Sequence, residues 1–287
     1  MTSKLLFSHR SQEPESHILY MVGTPIGNLN DISYRAINIL KNVSLIACED
    51  TRQTKKIMHK FQISNKLISF NKHNSVSKIP GIIKELKSGK SIAIVSDAGM
   101  PSICDPGEEI VNAVKKEGLD VICIPGPSAV LTALVSSGMP SSSFIFEGFL
   151  PKKKNEREKI LQEISQNKKT TILFESPKRL KKLLKELSIF CGLDREIEVT
   201  RELTKKFEEH IFNDLNSVIE YYEDKEILGE VTIVIKGVDK KNNLGFNSSQ
   251  IKKELNDLIN AGLSLSAASK YLAKKNDLKK GEIYDLK

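Results

Sequence analysis

Carboxylates and glycines fall together at the ends of several apolar runs in this chain, and in a parallel sheet those strand ends are where ligands bind. The run Ile92 to Val95 leads into Ser96-Asp97-Ala98-Gly99-Met100-Pro101-Ser102-Ile103-Cys104-Asp105-Pro106-Gly107, followed by an amphipathic segment, Glu108 to Glu117. Asp97 puts a carboxylate at the strand's carboxyl end, and Gly99 and Gly107 leave backbone uncovered for a close approach. Asp105, Pro106 and Glu108 have the spacing of a capping box, with Pro at the first helical position. Such a box ties Asp105 to the helix and removes it from the catalytic candidates. Glu49 and Asp50 close another apolar run, Val43 to Ala47, and are the candidates for accepting a proton. Asp50 would equally serve as a cap for a helix starting at Thr51.

Two further turns have the same build. Gly23-Thr24-Pro25-Ile26-Gly27-Asn28 follows Ile18 to Val22, and Pro125-Gly126-Pro127 follows Val121 to Ile124 and precedes Ser128. Several familiar chemistries are excluded for them. A phosphate-cradling loop of the form G-x-x-x-x-G-K-[ST] fails at Gly89-Lys90-Ser91, because Lys84 stands where the first glycine belongs and the segment precedes a strand. No G-x-G-x-x-G follows any strand, so the dinucleotide fingerprint is missing. There is no G-x-S-x-G elbow, and none of His9, His17, His59, His73 and His210 has an obvious triad partner.

The elements that must position these turns alternate regularly. Strands at Ile18–Val22, Val43–Ala47, Leu67–Phe70, Ile92–Val95 and Val121–Ile124 alternate with helical patterns at Ile32–Leu40, Thr51–Phe61, Ile79–Leu86, Glu108–Glu117 and Ser128–Ser136. This predicts an α/β domain over 17–138 with a mostly parallel sheet and helices on both faces. A second α/β domain is expected over 139–238, with strands at Phe144–Phe149, Thr170–Phe174, Ile197–Leu203 and Val231–Ile235. Its helices are expected at Lys154–Ile164, Leu180–Leu187 and Leu215–Tyr222, around a mixed sheet. Residues 1–16 read as a flexible extension with too short an apolar centre for a secretory signal. Residues 239–287 read as a linker and two short helices, Ile251–Ile259 and Leu265–Lys274, which fit either a helix-turn-helix or a small cap.

The chain of 287 residues carries a formal charge of +8, and the charge is localised. From Thr51 to Lys84 there are eight Lys or Arg and no acid, and from Lys152 to Leu187 twelve basic residues stand against five acidic ones. Blocks of this kind suit a polyanion, although charge runs also serve as solvated helix faces. No apolar run approaches the roughly 18 residues of a membrane span. Cys48, Cys104, Cys123 and Cys191 share no metal-ligand spacing, so they are expected to be reduced core residues of a cytoplasmic protein, with neither metal nor disulfide.

Several blocks together resemble the small-subunit ribosomal RNA methyltransferase I family of the tetrapyrrole methylase superfamily. They are Val22 to Leu29, Cys48-Glu49-Asp50-Thr51-Arg52, Ser96 to Gly107, Ile124 to Ala129, Phe146 to Pro151, Phe174-Glu175-Ser176-Pro177-Lys178-Arg179 and Arg201-Glu202-Leu203-Thr204-Lys205, in the family's order. The resemblance runs from about Ile18 to the C-terminal helices. It implies two α/β domains of the tetrapyrrole methylase type, a homodimer, S-adenosylmethionine as cofactor, and methylation of a cytidine 2′-hydroxyl in the decoding region of 16S rRNA within the small ribosomal subunit. A methyltransferase for a tetrapyrrole or other small molecule, and a non-catalytic RNA-binding protein, are the alternatives.

Carried over by position, Asp97, Ala98, Gly99, Met100, Pro101 and Ser102 match the superfamily's cofactor loop, with Met100 in place of its usual aspartate. Ser128, Phe174, Glu175, Val231 and Thr232 match other cofactor positions. Gly23, Pro25, Gly27 and Asn28 match a loop near the methyl acceptor. Arg52, His73, Lys178, Arg179 and Arg201 are the candidate RNA contacts, arginine's fixed fork suiting phosphate. Glu208, Glu209 and His73 are further candidates for the base, with a solvated helix face the alternative for the two glutamates and a loop contact to phosphate the alternative for His73.

Overall fold

The computed structural model describes residues 13–238, 248–275, 280–284 and 286. The extension expected over 1–16 lies mostly outside those residues, as does most of the expected linker. Strand β1 (Ile18–Val22) is buried at every position, as an apolar run flanked on both faces by helices must be. It lies in a parallel sheet with β2 (Leu45–Cys48), β3 (Leu67–Ser69), β4 (Ile92–Val95) and β5 (Asp120–Ile124), in the order β3-β2-β4-β1-β5. Helices α1 (Tyr34–Asn42) and α2 (Thr51–Lys60) cover the face that carries Ile18, Tyr20 and Val22. Helices α3 (Ser75–Lys87) and α4 (Glu108–Lys116) cover the face of Leu19 and Met21. The chain therefore leaves the adjacent strands β1 and β4 toward opposite faces, and the loops after them part at a topological switch point.

Helix α5 (Ala129–Ser137) ends at Gly138 in the left-handed conformation. Its Val130, Ala133 and Leu134 pack with Ile172 and Val234 of a second sheet and with Ile26 and Leu203. That sheet runs β6-β7-β10-β8-β9, built from β6 (Phe144–Phe149), β7 (Thr170–Glu175), β8 (Glu196–Arg201), β9 (Glu209–Asp214) and β10 (Val231–Ile235). β6 is parallel to β7; β10 is antiparallel to both β7 and β8, and β8 and β9 are antiparallel, so the sheet is mixed. Helices α6 (Lys154–Gln166), α7 (Pro177–Cys191) and α8 (Leu215–Tyr222) cover its other face. Helices α9 (Ser248–Asn260), α10 (Leu265–Lys275) and α11 (Lys280–Tyr284) share a core around Leu255, Leu272 and Ile283. Among the described residues no helix is long and apolar enough to cross a membrane.

Four local expectations are corrected. Asp105 does not cap α4: the cap position is Gly107, which makes no side-chain bond, so the capping box is absent. α3 begins at Ser75, before the expected Ile79, and accommodates Pro80 inside it. β9 and α11 were not expected; β9 is an edge strand of mostly polar residues, Glu209 to Asp214, without the apolar alternation that marks a strand. Cys48 is buried but Cys123 is exposed on the edge strand β5, so the cysteines are not uniformly core residues.

Candidate functional site

The loops after β1 and β4 meet at the switch point through paired backbone bonds. The Thr24 N–H donates to the Gly99 carbonyl at 2.9 Å and the Gly99 N–H to the Thr24 carbonyl at 3.1 Å. Gly99 has φ +74°, where a side chain would be strained. The third turn packs in behind: a Cβ on Gly23 would lie 2.7 Å from Gly126 Cα and 2.7 Å from Met100 Sδ. These three turns and the near ends of the second sheet enclose a cleft of ≈ 560 Å³. One wall carries Ile26, Asp97 to Met100, Ile103 to Asp105 and Ser128 to Val130; the other carries Phe149, Phe174 to Pro177 and Gly229 to Thr232. Phe174 meets Phe149 at 5.6 Å and Phe146 at 4.9 Å between ring centroids, giving that wall a packed aromatic patch.

The opposite wall is acidic. Glu49, Asp97 and Asp105 all line the cleft, with Lys72 the one cation beside them. Burial pushes the Asp105 carboxyl up to about 6, helped by the charge of Glu49 and opposed by Lys72 and a bond from Ser96. Burial also raises Glu49, with the Asp97 charge adding to it. Asp97 is raised by burial too, although it accepts the Asp50 backbone N–H at 2.9 Å. The Lys72 ammonium donates to the Cys104 carbonyl at 2.8 Å, across the entrance to this group.

Asp50 behaves in the opposite way. It caps α2 by accepting the Arg52 N–H at 2.8 Å, and it pairs with the Arg52 guanidinium at 2.6 Å. These bonds hold its carboxyl down to about 2. Asp50 does not line the cleft, and a carboxylate so stabilised is a poor proton acceptor.

Of the positions matched to the cofactor, Asp97, Ala98, Gly99, Met100, Ser128, Phe174, Glu175, Val231 and Thr232 lie along the cleft. Pro101 and Ser102 do not; Pro101 is buried and Ser102 packs against Gly107. Ser128 also caps α5. The Glu175 carboxylate is turned into the protein, where it meets Arg179 at 2.5 Å and Arg157 at 3.6 Å and accepts the Ser176 N–H at 2.8 Å. Arg179 is therefore an internal partner first and a phosphate contact only secondarily. Arg201 pairs with Glu209 at 3.1 Å and lines a separate pocket. His73 and Lys178 are exposed, as is Arg52. Of that first loop Ile26 lines the cleft, whereas Gly23 and Pro25 are buried away from it and Gly27 and Asn28 are exposed. Lys72, Asp105, Phe149 and Glu230 line the cleft without having been singled out from sequence. Asp105 was the legible one, at the end of the same turn, had the cap assignment not removed it.

A family model described as tetrapyrrole (corrin/porphyrin) methylases matches residues 18–219. Among solved structures, a cobalt precorrin-4 methyltransferase superposes with TM-score 0.59 at 18% identity, over 77% of this chain and 95% of that one. A uroporphyrin-III C-methyltransferase from Thermus thermophilus, complexed with S-adenosylhomocysteine, gives TM-score 0.54 at 15% identity over 75% and 96%. At those identities the likeness shows the fold. The chain is 41% identical over 269 residues to the ribosomal RNA small subunit methyltransferase I of Synechocystis sp., covering 94% of this chain and 96% of that protein. It is 44% identical to the Bacillus subtilis protein of the same name, over 93% of each. The Thermotoga maritima protein of that name is 46% identical over 76% of this chain and 98% of its own length. With that identity over nearly its whole length and the methylase model matching residues 18–219, the chain belongs to the ribosomal RNA small subunit methyltransferase I family, within the tetrapyrrole methylases.

Proposed function

We propose that this protein transfers a methyl group from S-adenosylmethionine to the 2′-hydroxyl of a cytidine in the decoding region of 16S rRNA. The observation that carries the reading is the cleft itself, acidic on one wall and aromatic on the other, in a chain whose relatives bear that name. The residues present fit the cofactor. A sulfonium and an α-ammonium suit Asp97 and Asp105, and an adenine suits the Phe149 and Phe174 side. When bound, the cofactor supplies a methyl group on a positively charged sulfur, so the leaving group needs no further activation.

The chain's own contribution is charge and alignment. Asp105, ionised at neutral pH, compensates the donor's positive charge; Asp97 braces the wall by holding the Asp50 N–H. Glu49 accepts the proton of the acceptor hydroxyl, since its raised proton affinity suits a base better than Asp50's does. Holding the acceptor oxygen in line with the donor accounts for most of the rate. The basic surface of α2, with exposed Lys55, Lys56 and Lys60, receives phosphates.

We also propose a cytoplasmic homodimer, to which exposed Leu131 and Val135 on α5 offer an apolar face. Residues 17–138 and 139–238 are its two α/β domains, and α5 is the element that joins them. Labelled S-adenosylmethionine, incubated with small subunits or free rRNA lacking the modification, tests the reaction. Label is expected on a cytidine ribose. No label in either RNA overturns the reading, and label on a base nitrogen corrects the acceptor atom. Glu49→Gln is expected to lower kcat about 100-fold while leaving cofactor affinity within about twofold; unchanged turnover would remove Glu49 as the base.

A further inference from the structure

The turn joining β8 to β9 is more strained and more heavily braced than a sheet edge requires. Glu202 and Thr204 both hold φ in the left-handed region, at +52° and +66°. Non-glycine residues keep such conformations only where their surroundings over-determine them, and they cluster where function needs a fixed geometry. Here the surroundings are explicit. Glu208 Oε2 accepts the Thr204 backbone N–H at 2.8 Å, and its Oε1 lies 2.8 Å from His210 Nε2. The other ring nitrogen of His210 lies 2.8 Å from Oε1 of Glu198, which is buried in β8. On the opposite side Lys205 bridges Glu202 at 2.7 Å and Glu230 at 2.9 Å.

All this bracing converges on one hydroxyl. Thr204 Oγ1 accepts the backbone N–H of Asn28 at 3.1 Å. Gly27 sits so close to the turn that a Cβ there would lie 2.8 Å from Thr204 Oγ1 and 3.0 Å from the Leu203 carbonyl. The loop from Gly23 to Asn28 is thus pinned at Thr24 by the turn after β4 and at Asn28 by the second sheet, and between the two pins Ile26 forms part of the cleft wall.

We propose that Thr204 is a positioning residue for methyl transfer: with Glu208 and His210 holding it, its hydroxyl sets the Gly23–Asn28 loop at the spacing from the opposite wall that the acceptor nucleotide needs. The inference rests on the methyl-transfer reading above. A turn that only closed the sheet edge would need neither two left-handed non-glycine residues nor a histidine between two carboxylates. The charged groups facing His210 are Glu198 from β8 and Glu208 from its own segment; the next residue on that face of β9 is Phe212. Burial alone would lower the imidazole's proton affinity, but the two carboxylates outweigh it and the net shift is upward. The clamp is therefore complete below the ordinary histidine range and loses its cation as pH rises through the raised value.

Steady-state methylation of the RNA, with cofactor affinity measured in parallel by calorimetry, tests this with Thr204→Val, Thr204→Ser, Glu208→Gln and His210→Gln. Thr204→Val and Glu208→Gln are expected to cut kcat/KM for RNA about tenfold or more, with the cofactor Kd within about twofold of wild type. Thr204→Ser, which keeps the hydroxyl, restores most of the loss. The wild type is expected to lose kcat/KM as pH rises through the raised His210 value, and His210→Gln is expected to remove that fall. Wild-type RNA kinetics in Thr204→Val, a cofactor Kd that worsens in step with turnover, or failure of Thr204→Ser to rescue would each overturn the proposal. If Thr204→Val does not fold, Glu208→Gln decides by the same criteria. An inactive wild type would instead sink the methyl-transfer reading, which separates the two failures.

Discussion

Asp50 is held near a pKa of about 2 and Asp105 near about 6, although they follow the adjacent strands β2 and β4 of one sheet. The difference is environmental: one aspartate has a guanidinium and a helix N-terminus, the other has burial and a neighbouring glutamate. Local sequence favours Asp50, because Cys48-Glu49-Asp50-Thr51-Arg52 is a clear strand end while Asp105 mimics a cap. What sequence could not give is that Gly107 intervenes as the cap, a matter of backbone path. The two protonation states of Asp105 make opposite demands. Its folded pKa lies above the ordinary aspartate value, so acidification from pH 7 through 6 toward 4 removes a destabilising charge, and this group's own contribution to the stability of the cofactor-free protein rises. The same acidification weakens cofactor affinity. Asp105→Asn is expected to raise the apo Tm and to weaken S-adenosylmethionine binding about tenfold, with a smaller loss for S-adenosylhomocysteine, whose sulfur is neutral. Calorimetry with both ligands checks this; equal losses would show that Asp105 does not face the sulfonium.

At the scale of elements, the glycine turns were legible because each has a structural demand that few residues meet. Gly23 and Gly126 pack backbone to backbone, so Gly23→Ala forces the first and third turns apart and is expected to lower both Tm and cofactor affinity. Gly99→Val strains a φ of +74° in the turn that carries the cleft wall. It is expected to abolish cofactor binding while circular dichroism shows the fold retained, and unchanged affinity would take that turn out of the site. β9 was illegible for the opposite reason. An edge strand with one half-buried face needs little apolar alternation, and Glu209, His210 and Asn213 are held there by partners distant in sequence. The braced turn before it was equally hidden, since Arg201 to Lys205 announces a shared motif but not its two left-handed residues.

On the whole molecule, the charge of +8 gains a location: the basic run from Thr51 includes α2, whose Lys55, Lys56 and Lys60 are exposed. RNA affinity is expected to fall linearly with salt on logarithmic axes, and replacing Lys55 and Lys56 by Ala should lessen that slope by about 1.4 if both meet phosphate. Filter binding across a salt series checks it, and an unchanged slope would clear α2 of phosphate contact. The helices α9 to α11 keep their own core, and the Thermotoga maritima relative is matched over 98% of its length by 76% of this chain. A protein ending at residue 238 is therefore expected to retain cofactor affinity, with any loss confined to RNA.

The strand order of the second sheet also bears on biosynthesis. β10, the last to be made of the ten strands among the described residues, lies at the centre of its sheet between β7 and β8, and carries Val231 and Thr232 to the cleft. Until residue 235 has left the ribosome, β6 and β7 remain one unfinished edge and β8 and β9 another, and the buried face of α5 has Ile172 of β7 but not Val234 of β10 to pack on. A nascent chain of this protein lacks the Val231 and Thr232 part of its cleft, and a polypeptide stopped short of β10 is expected to be a target for proteolysis and aggregation.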